Sequence, residues 1–203
     1  FWSVNPYIGC EFGCTYCYAR DTHRWTMERM EGARVPPLHM VERGTGGEDC
    51  AERGTGGEDC VERGTGGEDC AKREPGGEDE SFENRILVKI DAPAILRRTL
   101  DPTRIDGAPI VIGTATDPYQ PAERRFRITR GLLESLLPHR GLHLGIITKS
   151  PLITRDTDLL VQLAERHTVS IHISLAALEG RLVRRIEARS PAPHARLRAL
   201  GRL

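Results

Sequence analysis

The sequence of 203 residues contains no apolar run approaching the roughly 20 residues that cross a bilayer, so no membrane-spanning helix is expected. Its first residues, Phe1-Trp2-Ser3-Val4-Asn5-Pro6, lack the basic and apolar regions of a signal peptide. They also lack an initiator methionine, so the sequence reads as a piece of a longer chain. Aromatic residues are scarce, at 5%, and offer no stacking platform for single-stranded nucleic acid. A helix-turn-helix pattern is missing too. There is no net charge: 29 Lys and Arg balance 29 Asp and Glu. What the sequence does have is 38% hydrophobic residues, enough for one domain with an appendage.

The balanced charge conceals an asymmetry. Residues 41–80 hold 13 acidic and 5 basic residues, which leaves the remainder with a surplus of 8 positive charges. A basic body suits an anionic partner, with DNA or RNA as candidates, and it also suits ordinary solvated helix faces. The acidic part is a repeat. Residues 42–51, 52–61 and 62–71 are near-copies of Glu-Arg-Gly-Thr-Gly-Gly-Glu-Asp-Cys followed by Ala or Val, and a decayed copy follows. The stretch carries 11 of the 21 glycines and almost no large apolar side chain. It cannot bury enough surface to offset its chain entropy. Residues 41–80 are therefore read as a disordered, acidic, Gly-rich insertion. Cys50, Cys60 and Cys70 are read as copied along with the repeat, a metal-binding array being the alternative.

The other three cysteines stand apart. Cys10, Cys14 and Cys17 lie in Asn5-Pro6-Tyr7-Ile8-Gly9-Cys10-Glu11-Phe12-Gly13-Cys14-Thr15-Tyr16-Cys17-Tyr18-Ala19-Arg20. Three thiols within eight residues, spaced by glycines, can curl around one metal centre. A disulfide framework would want an even number and a secreted context. Structural zinc wants a fourth ligand, for which His23 is the nearby candidate, although a packing role suits that histidine as well. Iron–sulfur clusters are held by cysteine thiolates, usually four, and three leave one iron open to a substrate or cofactor.

This stretch resembles the cluster loop of the radical S-adenosylmethionine (SAM) superfamily, including the aromatic Tyr16 before the last cysteine. It is most similar to the branch that resembles spore photoproduct lyase. The likeness continues in order through Phe82-Glu83-Asn84-Arg85-Ile86-Leu87-Val88-Lys89, through Gly113-Thr114-Ala115-Thr116-Asp117-Pro118-Tyr119-Gln120-Pro121-Ala122-Glu123, and through Thr148-Lys149-Ser150-Pro151-Leu152-Ile153. Arg155-Asp156, Glu187, Pro191, Pro193 and Arg196-Leu197 extend it. The resemblance implies that residues 1–25 are the cluster loop and the start of the core, 26–80 an insertion carrying the repeats of 41–80, and 81–203 the remainder of the core. The third-strand motif at 113–117 lacks the cysteine that spore photoproduct lyase uses as a hydrogen donor. Arg20-Asp21-Thr22, Phe12 and Glu187-Ala188 depart from the branch's usual pattern as well. An uncharacterised relative, not a true spore photoproduct lyase, is expected.

Periodicity gives the fold class independently. Short β-branched runs near 2–5 and at 86–90, 110–113, 142–148 and 169–174 read as strands. Helical patterns lie between them, near 92–100, 122–137, 154–166 and 177–187, with Thr154 as a candidate N-cap. Alternating β and α units predict an α/β fold with parallel strands. Each of the four from residue 86 onward reads as a near-continuous apolar run, as expected for strands buried on both faces. The resemblance implies a partial (β/α)6 barrel whose last strand is missing, expected beyond Leu203. An open doubly wound sheet fits the same pattern.

Ligands of parallel α/β folds sit at the C-terminal ends of the strands, and the polar motifs fall there. The resemblance implies a [4Fe–4S] cluster on Cys10, Cys14 and Cys17. It implies SAM on the open iron, cleaved reductively to methionine and a 5′-deoxyadenosyl radical, with an electron donor such as flavodoxin or ferredoxin. Lys149 is the candidate partner of the methionine carboxylate, and Ser174 a hydrogen-bond donor to the same end. Tyr16 either packs on adenine or braces the loop. Thr114 and Asp117 face the expected cavity, Asp117 otherwise capping the following helix. Glu187 and Arg196 are expected to pair with each other. The substrate is open. Oxygen-labile clusters imply a reducing, cytoplasmic setting. A non-catalytic Fe–S or zinc-binding module and an inactive fragment are the alternatives.

Overall fold

The computed structural model describes residues 1–30, 39–42 and 80–203. Of the stretch 41–80 expected to be disordered, Val41 and Glu42 lie in a strand and Glu80 opens a helix, while 43–79, with Cys50, Cys60 and Cys70, lie outside the described residues. The chain begins with two short strands, β1 (Trp2–Val4) and β2 (Tyr7–Ile8), then α1 (Ala19–Met30) and β3 (His39–Glu42). Next come α2 (Glu80–Asn84), β4 (Arg85–Val88), α3 (Ala92–Thr99), α4 (Pro102–Ile105) and β5 (Ile110–Ile112). Helices α5 (Glu123–Phe126) and α6 (Ile128–Leu136) lead to β6 (His143–Thr148) and a 3-10 turn, Pro151–Asp156. The last elements are α7 (Thr157–Ala164), β7 (Thr168–Ile173), α8 (Gly180–Ile186) and α9 (Pro193–Leu200).

The protein is a mixed α/β fold. Four strands form a wholly parallel sheet in the order β1-β5-β6-β7, with Val4 beside Ile112, Ile112 beside Ile146 and Thr148 beside Ile173. Ile110, Ile112, Leu144 and Ile146 are buried in one core with Leu133 and Leu136 of α6 and Leu159, Leu160 and Leu163 of α7. These positions recur at helical spacing, so each helix turns an apolar stripe to the sheet.

The expected strand at 86–90 is real but belongs elsewhere. It runs Arg85–Val88 and pairs antiparallel with β2 and β3 in a separate sheet, Tyr7 opposite Val88 and Val41 opposite Ile86. An apolar run announces burial, not the direction of its neighbour. Helix α6 joins the two halves, since Ile128 and Leu132 pack on Tyr7, Ile86 and Val88 while Leu133 and Leu136 face the parallel sheet. The helix expected over 122–137 is broken at Arg127, whose φ is 52°. Helix α7 starts at Thr157, not near Thr154, because Ser150 caps the intervening 3-10 turn through Leu152 N–H. Strand β7 is not buried on both faces as expected: Val169, Ile171 and Ile173 are half-buried while Thr168, Ser170 and His172 are exposed, as befits an edge strand of alternating sequence. Among the described residues, no helix is long and apolar enough to cross a membrane.

Gly113 ends β5 with φ 97°, and a Cβ there would lie 2.5 Å from the Ile147 carbonyl and 2.7 Å from Pro118 Cδ. Gly107 has φ 71° but open space around it. Gly113→Ala is therefore expected to cost about 1–3 kcal/mol more than Gly107→Ala, the surplus being the overpacking. Paired urea melts measure the difference.

A buried ion cluster ties α5, α6 and the 3-10 turn. Asp156, with no side-chain exposure, accepts from Arg130 at 2.9 Å and from Arg155 at 2.8 and 2.9 Å, and Arg155 also reaches Glu123. Burial pushes the Asp156 carboxyl up, but the two guanidiniums outweigh it and hold it below its ordinary value. Its contribution is thus fully present above the unfolded value of about 4 and is lost as pH falls through the lower folded value. The stability gap between the native protein and Asp156→Asn should be full at pH 6 and close below about pH 4, read from urea titrations across pH.

Candidate functional site

The cysteine loop is built into the C-terminal edge of the parallel sheet. Gly9, with φ 88°, passes so close to α2 that a Cβ would meet the Phe82 carbonyl at 2.8 Å. The Cys10 N–H then donates to that same carbonyl at 2.9 Å. From the other side the loop after β5 grips it. Thr116 Oγ1 and Gln120 Nε2 donate to the Gly9 carbonyl, Gln120 Oε1 accepts from Glu11 N–H, and Glu11 accepts from Ala122 N–H. The end of α8 holds the far side of the loop: Thr15 N–H donates to the Ile186 carbonyl at 2.9 Å, and Cys14 bridges to Glu187.

Cys10, Phe12, Cys14, Ala19 and Phe82 form one buried cluster, with Cys17 and Ala115 packed against it. All three thiols are free of disulfides. Burial first, then the Asp117 charge, pushes the Cys10 thiol up. Burial also raises Cys14, and there Lys149 acts in the opposite direction, outweighed also by Glu187 and Cys17. Cys10 and Cys14 are thus buried and held towards the protonated thiol, while Cys17 is partly exposed. Among the described residues, no group of three His, Cys, Asp or Glu is already drawn together to hold a metal ion. A metal would have to displace their protons and close the loop around itself.

The residues singled out from sequence fall into two sets. Tyr16, Lys149, Cys14 and Glu187 come together. Tyr16 donates its hydroxyl to Glu187, and Lys149 Nζ lies 3.9 Å from Glu187 Oε1 and 5.8 Å from the centroid of the Tyr16 ring. Glu187 pairs with the wholly buried Arg196, as expected. Arg196 also donates to the Ser174 carbonyl at 2.9 Å, so Ser174 is tied to the same knot through its backbone. No partner of the Ser174 hydroxyl is found among the described residues. Burial pushes the Glu187 carboxyl up, but the Arg196 and Tyr16 hydrogen bonds and the Arg196 and Lys149 charges hold it low.

Thr114 and Asp117 are engaged inside the protein. The Thr114 hydroxyl meets Ser3 and Asn5, and its carbonyl accepts from Tyr18. Asp117 accepts from Thr148 Oγ1 and from the Tyr119 and Lys149 N–H groups at 2.7–2.9 Å, sewing the β5 loop to the end of β6. It does not cap α5. Burial raises its carboxyl against those three bonds. His23 packs edge-on against Phe82, 5.1 Å between centroids, with burial, then Arg85, lowering its pKa. Neither ring nitrogen has a hydrogen-bond partner among the described residues. Asn5, Tyr18 and Gln120, which shape the site, lie within the stretches that carry the resemblance, but their residue types alone announce no individual role. A buried glutamine looks like a surface one in a linear sequence.

No family model matches the chain, and no solved structure matches it. It is 29% identical over 196 residues to an uncharacterized protein of Mycobacterium tuberculosis, covering 97% of this chain and 43% of the relative. An uncharacterized protein of Acidianus two-tailed virus is 28% identical over 202 residues, 50% of its length, and one of Methanocaldococcus jannaschii is 24% identical over 200 residues, 54% of its length. The chain spans about half the length of the curated relatives it matches.

Proposed function

We propose that this chain is the core of a radical SAM enzyme, in which Cys10, Cys14 and Cys17 hold a [4Fe–4S] cluster. The observation that carries this reading is the placement of three disulfide-free cysteines, two of them buried, in one loop at the C-terminal edge of a parallel sheet, with a lysine beside the middle one. The donor set is that of a thiolate-bound cluster with one open iron. When bound, the cluster would supply the electron that cleaves SAM reductively to methionine and a 5′-deoxyadenosyl radical.

The protein's own residues bind, orient and exclude water. Lys149 offers its ammonium to the carboxylate end of SAM as a point charge. The Ser174 hydroxyl donates to the same end. Tyr16, half exposed and fixed by its hydroxyl, leaves a ring face for the adenine. Thr114 and Asp117 act by bracing the loops around the pocket. Phe12, Phe82 and Ala19 keep the thiols dry. The parallel sheet is taken as part of a partial (β/α)6 barrel. A flavodoxin or ferredoxin is the matching electron donor and a reducing cytoplasm the matching setting. The substrate is left open, DNA or RNA among the candidates.

The test is anaerobic reconstitution with iron and sulfide, reduction, and addition of SAM. The expected result is a reduced-cluster EPR signal that changes on adding SAM, with 5′-deoxyadenosine formed. A cluster that ignores SAM, or a closed tetrahedral zinc site, would make the chain a binding module. A chain that takes up neither metal would be an inactive fragment.

A further inference from the structure

We infer that Glu187 is a positioning residue: its carboxylate sets where the Lys149 ammonium points and so presents an anion-binding face beside Cys14. The inference rests on the reading above only for the identity of that anion, the carboxylate end of SAM. The two carboxylate oxygens divide the work. Oε2 faces inward, where it accepts from Arg196 and, at 3.3 Å, from Ser190 Oγ. Oε1 faces the cysteine loop, where it accepts from the Tyr16 hydroxyl and lies 3.9 Å from Lys149 Nζ. The Arg196 side chain has no exposure, whereas that of Lys149 keeps 20%.

The charges do not cancel. One carboxylate faces two cations, and Arg196, hydrogen-bonded to it, satisfies the inner oxygen. The surplus positive charge therefore sits on Lys149, on the open side. A lysine stem is flexible, and its ammonium would ordinarily wander. Here it is held between the Glu187 oxygen and the Tyr16 ring, a weak cation–π contact at 5.8 Å. Glu187 is itself fixed to the cysteine loop by its backbone bridge to Cys14. One residue thus registers the cation against the thiols. A ligand carboxylate arriving at Lys149 meets a cation whose rotamer freedom is already reduced.

Glu187→Gln tests this without breaking the inner pair. Its amide oxygen can keep Arg196 and its NH2 can meet the Tyr16 oxygen, but Lys149 loses its anion. The chain has three lysines, Lys72, Lys89 and Lys149, so reductive 13C-methylation gives few signals, and Lys149→Met assigns the one at issue. In the native protein the Lys149 signal is expected to be displaced by the Tyr16 ring. In Glu187→Gln it should move to the position of a free lysine while those of Lys72 and Lys89 stay. Glu187→Asp, which withdraws the carboxylate by one methylene and keeps its charge, should move it too and serves if the Gln variant does not fold. A Lys149 signal unmoved in the folded variant overturns the proposal.

SAM affinity of the cluster-loaded protein gives the second readout. Glu187→Gln and Lys149→Met should each weaken binding about tenfold, and the double variant should be no weaker than Lys149→Met alone. A merely structural Glu187 would make the losses multiply to about a hundredfold, which overturns the proposal. If the native protein binds no SAM, the cofactor reading falls, and the lysine signal still decides the role of Glu187.

Discussion

Alanine at Cys10, Cys14 or Cys17, one at a time, is expected to strip the reconstituted protein of its cluster, while alanine at Cys50, Cys60 and Cys70 together leaves it loaded. Iron should fall from about four per chain to a trace. Formation of 5′-deoxyadenosine should drop by more than about 100-fold, since even partners behind the ligands commonly cost 10–100-fold. Two thiols cannot anchor a cube that already makes do with three. Alanine is the right replacement, because a serine oxygen can stand in as a weak ligand. The fold should survive, for each change removes one sulfur from a small cluster around Phe12 and Phe82. A cost near 1 kcal/mol is the ordinary outcome for a point mutant. The repeat cysteines each follow a Glu-Asp pair, which disfavours the thiolate that a metal needs. Iron and sulfide counts on all four variants decide the matter. Equal loss from the triple repeat variant would move the metal site into the repeats.

The sequence revealed the strands better than their company. The apolar run Ile110-Val111-Ile112 and the run ending at Thr148 could be placed because a parallel strand buried between helices has little choice of residue. Leu87 and Val88 have the same apolar character, yet they pair antiparallel with Tyr7–Ile8. Pairing direction depends on where the chain comes from, and here it arrives from α2 with no connecting loop. Helix α1 escaped notice because Ala-Arg-Asp-Thr-His-Arg-Trp-Thr-Met-Glu-Arg-Met shows too few apolar residues to give a stripe. The candidate site was legible where chemistry demands rare residues at fixed spacing, as with the three cysteines. It was not legible where common polar residues are buried. Glu123 and Gln120 have no exposure at all, and one accepts from Tyr7 while the other closes the cysteine loop. The resemblance marks the stretch that holds them, but composition and periodicity do not separate them from solvated residues such as Glu134 or Arg124. Lys149 lies between these cases. Its place at the end of a strand was readable, but its contact with Glu187 joins residues 38 positions apart, through a turn, two helices and a strand.

Arg196→Ala is expected to be the most damaging single change for stability, by about 3–5 kcal/mol. Few domains have more than 5–15 kcal/mol in all. The side chains of Arg196 and Glu187 are both without exposure, so removing the arginine leaves the buried inner carboxylate oxygen with only the long hydrogen bond from Ser190 Oγ. The loss does not end there. Arg196 also donates to the Pro191 carbonyl at 2.8 Å and the Ser174 carbonyl at 2.9 Å, and both lose that donor. Lysine cannot rescue the site, because a point charge cannot replace a planar fork that serves three acceptors in three directions. Arg198 lies on the exposed side of the same helix, and Arg198→Ala should stay within about 0.5 kcal/mol. The double change Arg196→Met with Glu187→Leu removes both charges and is expected to recover part of the loss, since a packed apolar pair often matches a buried ion pair. That stable double variant should still fail to bind SAM well, because Lys149 would have no anion to hold it. Urea melts beside SAM titrations separate the two roles. Arg196 anchors the fold from below, and Glu187 passes that fixed position up to the lysine beside Cys14.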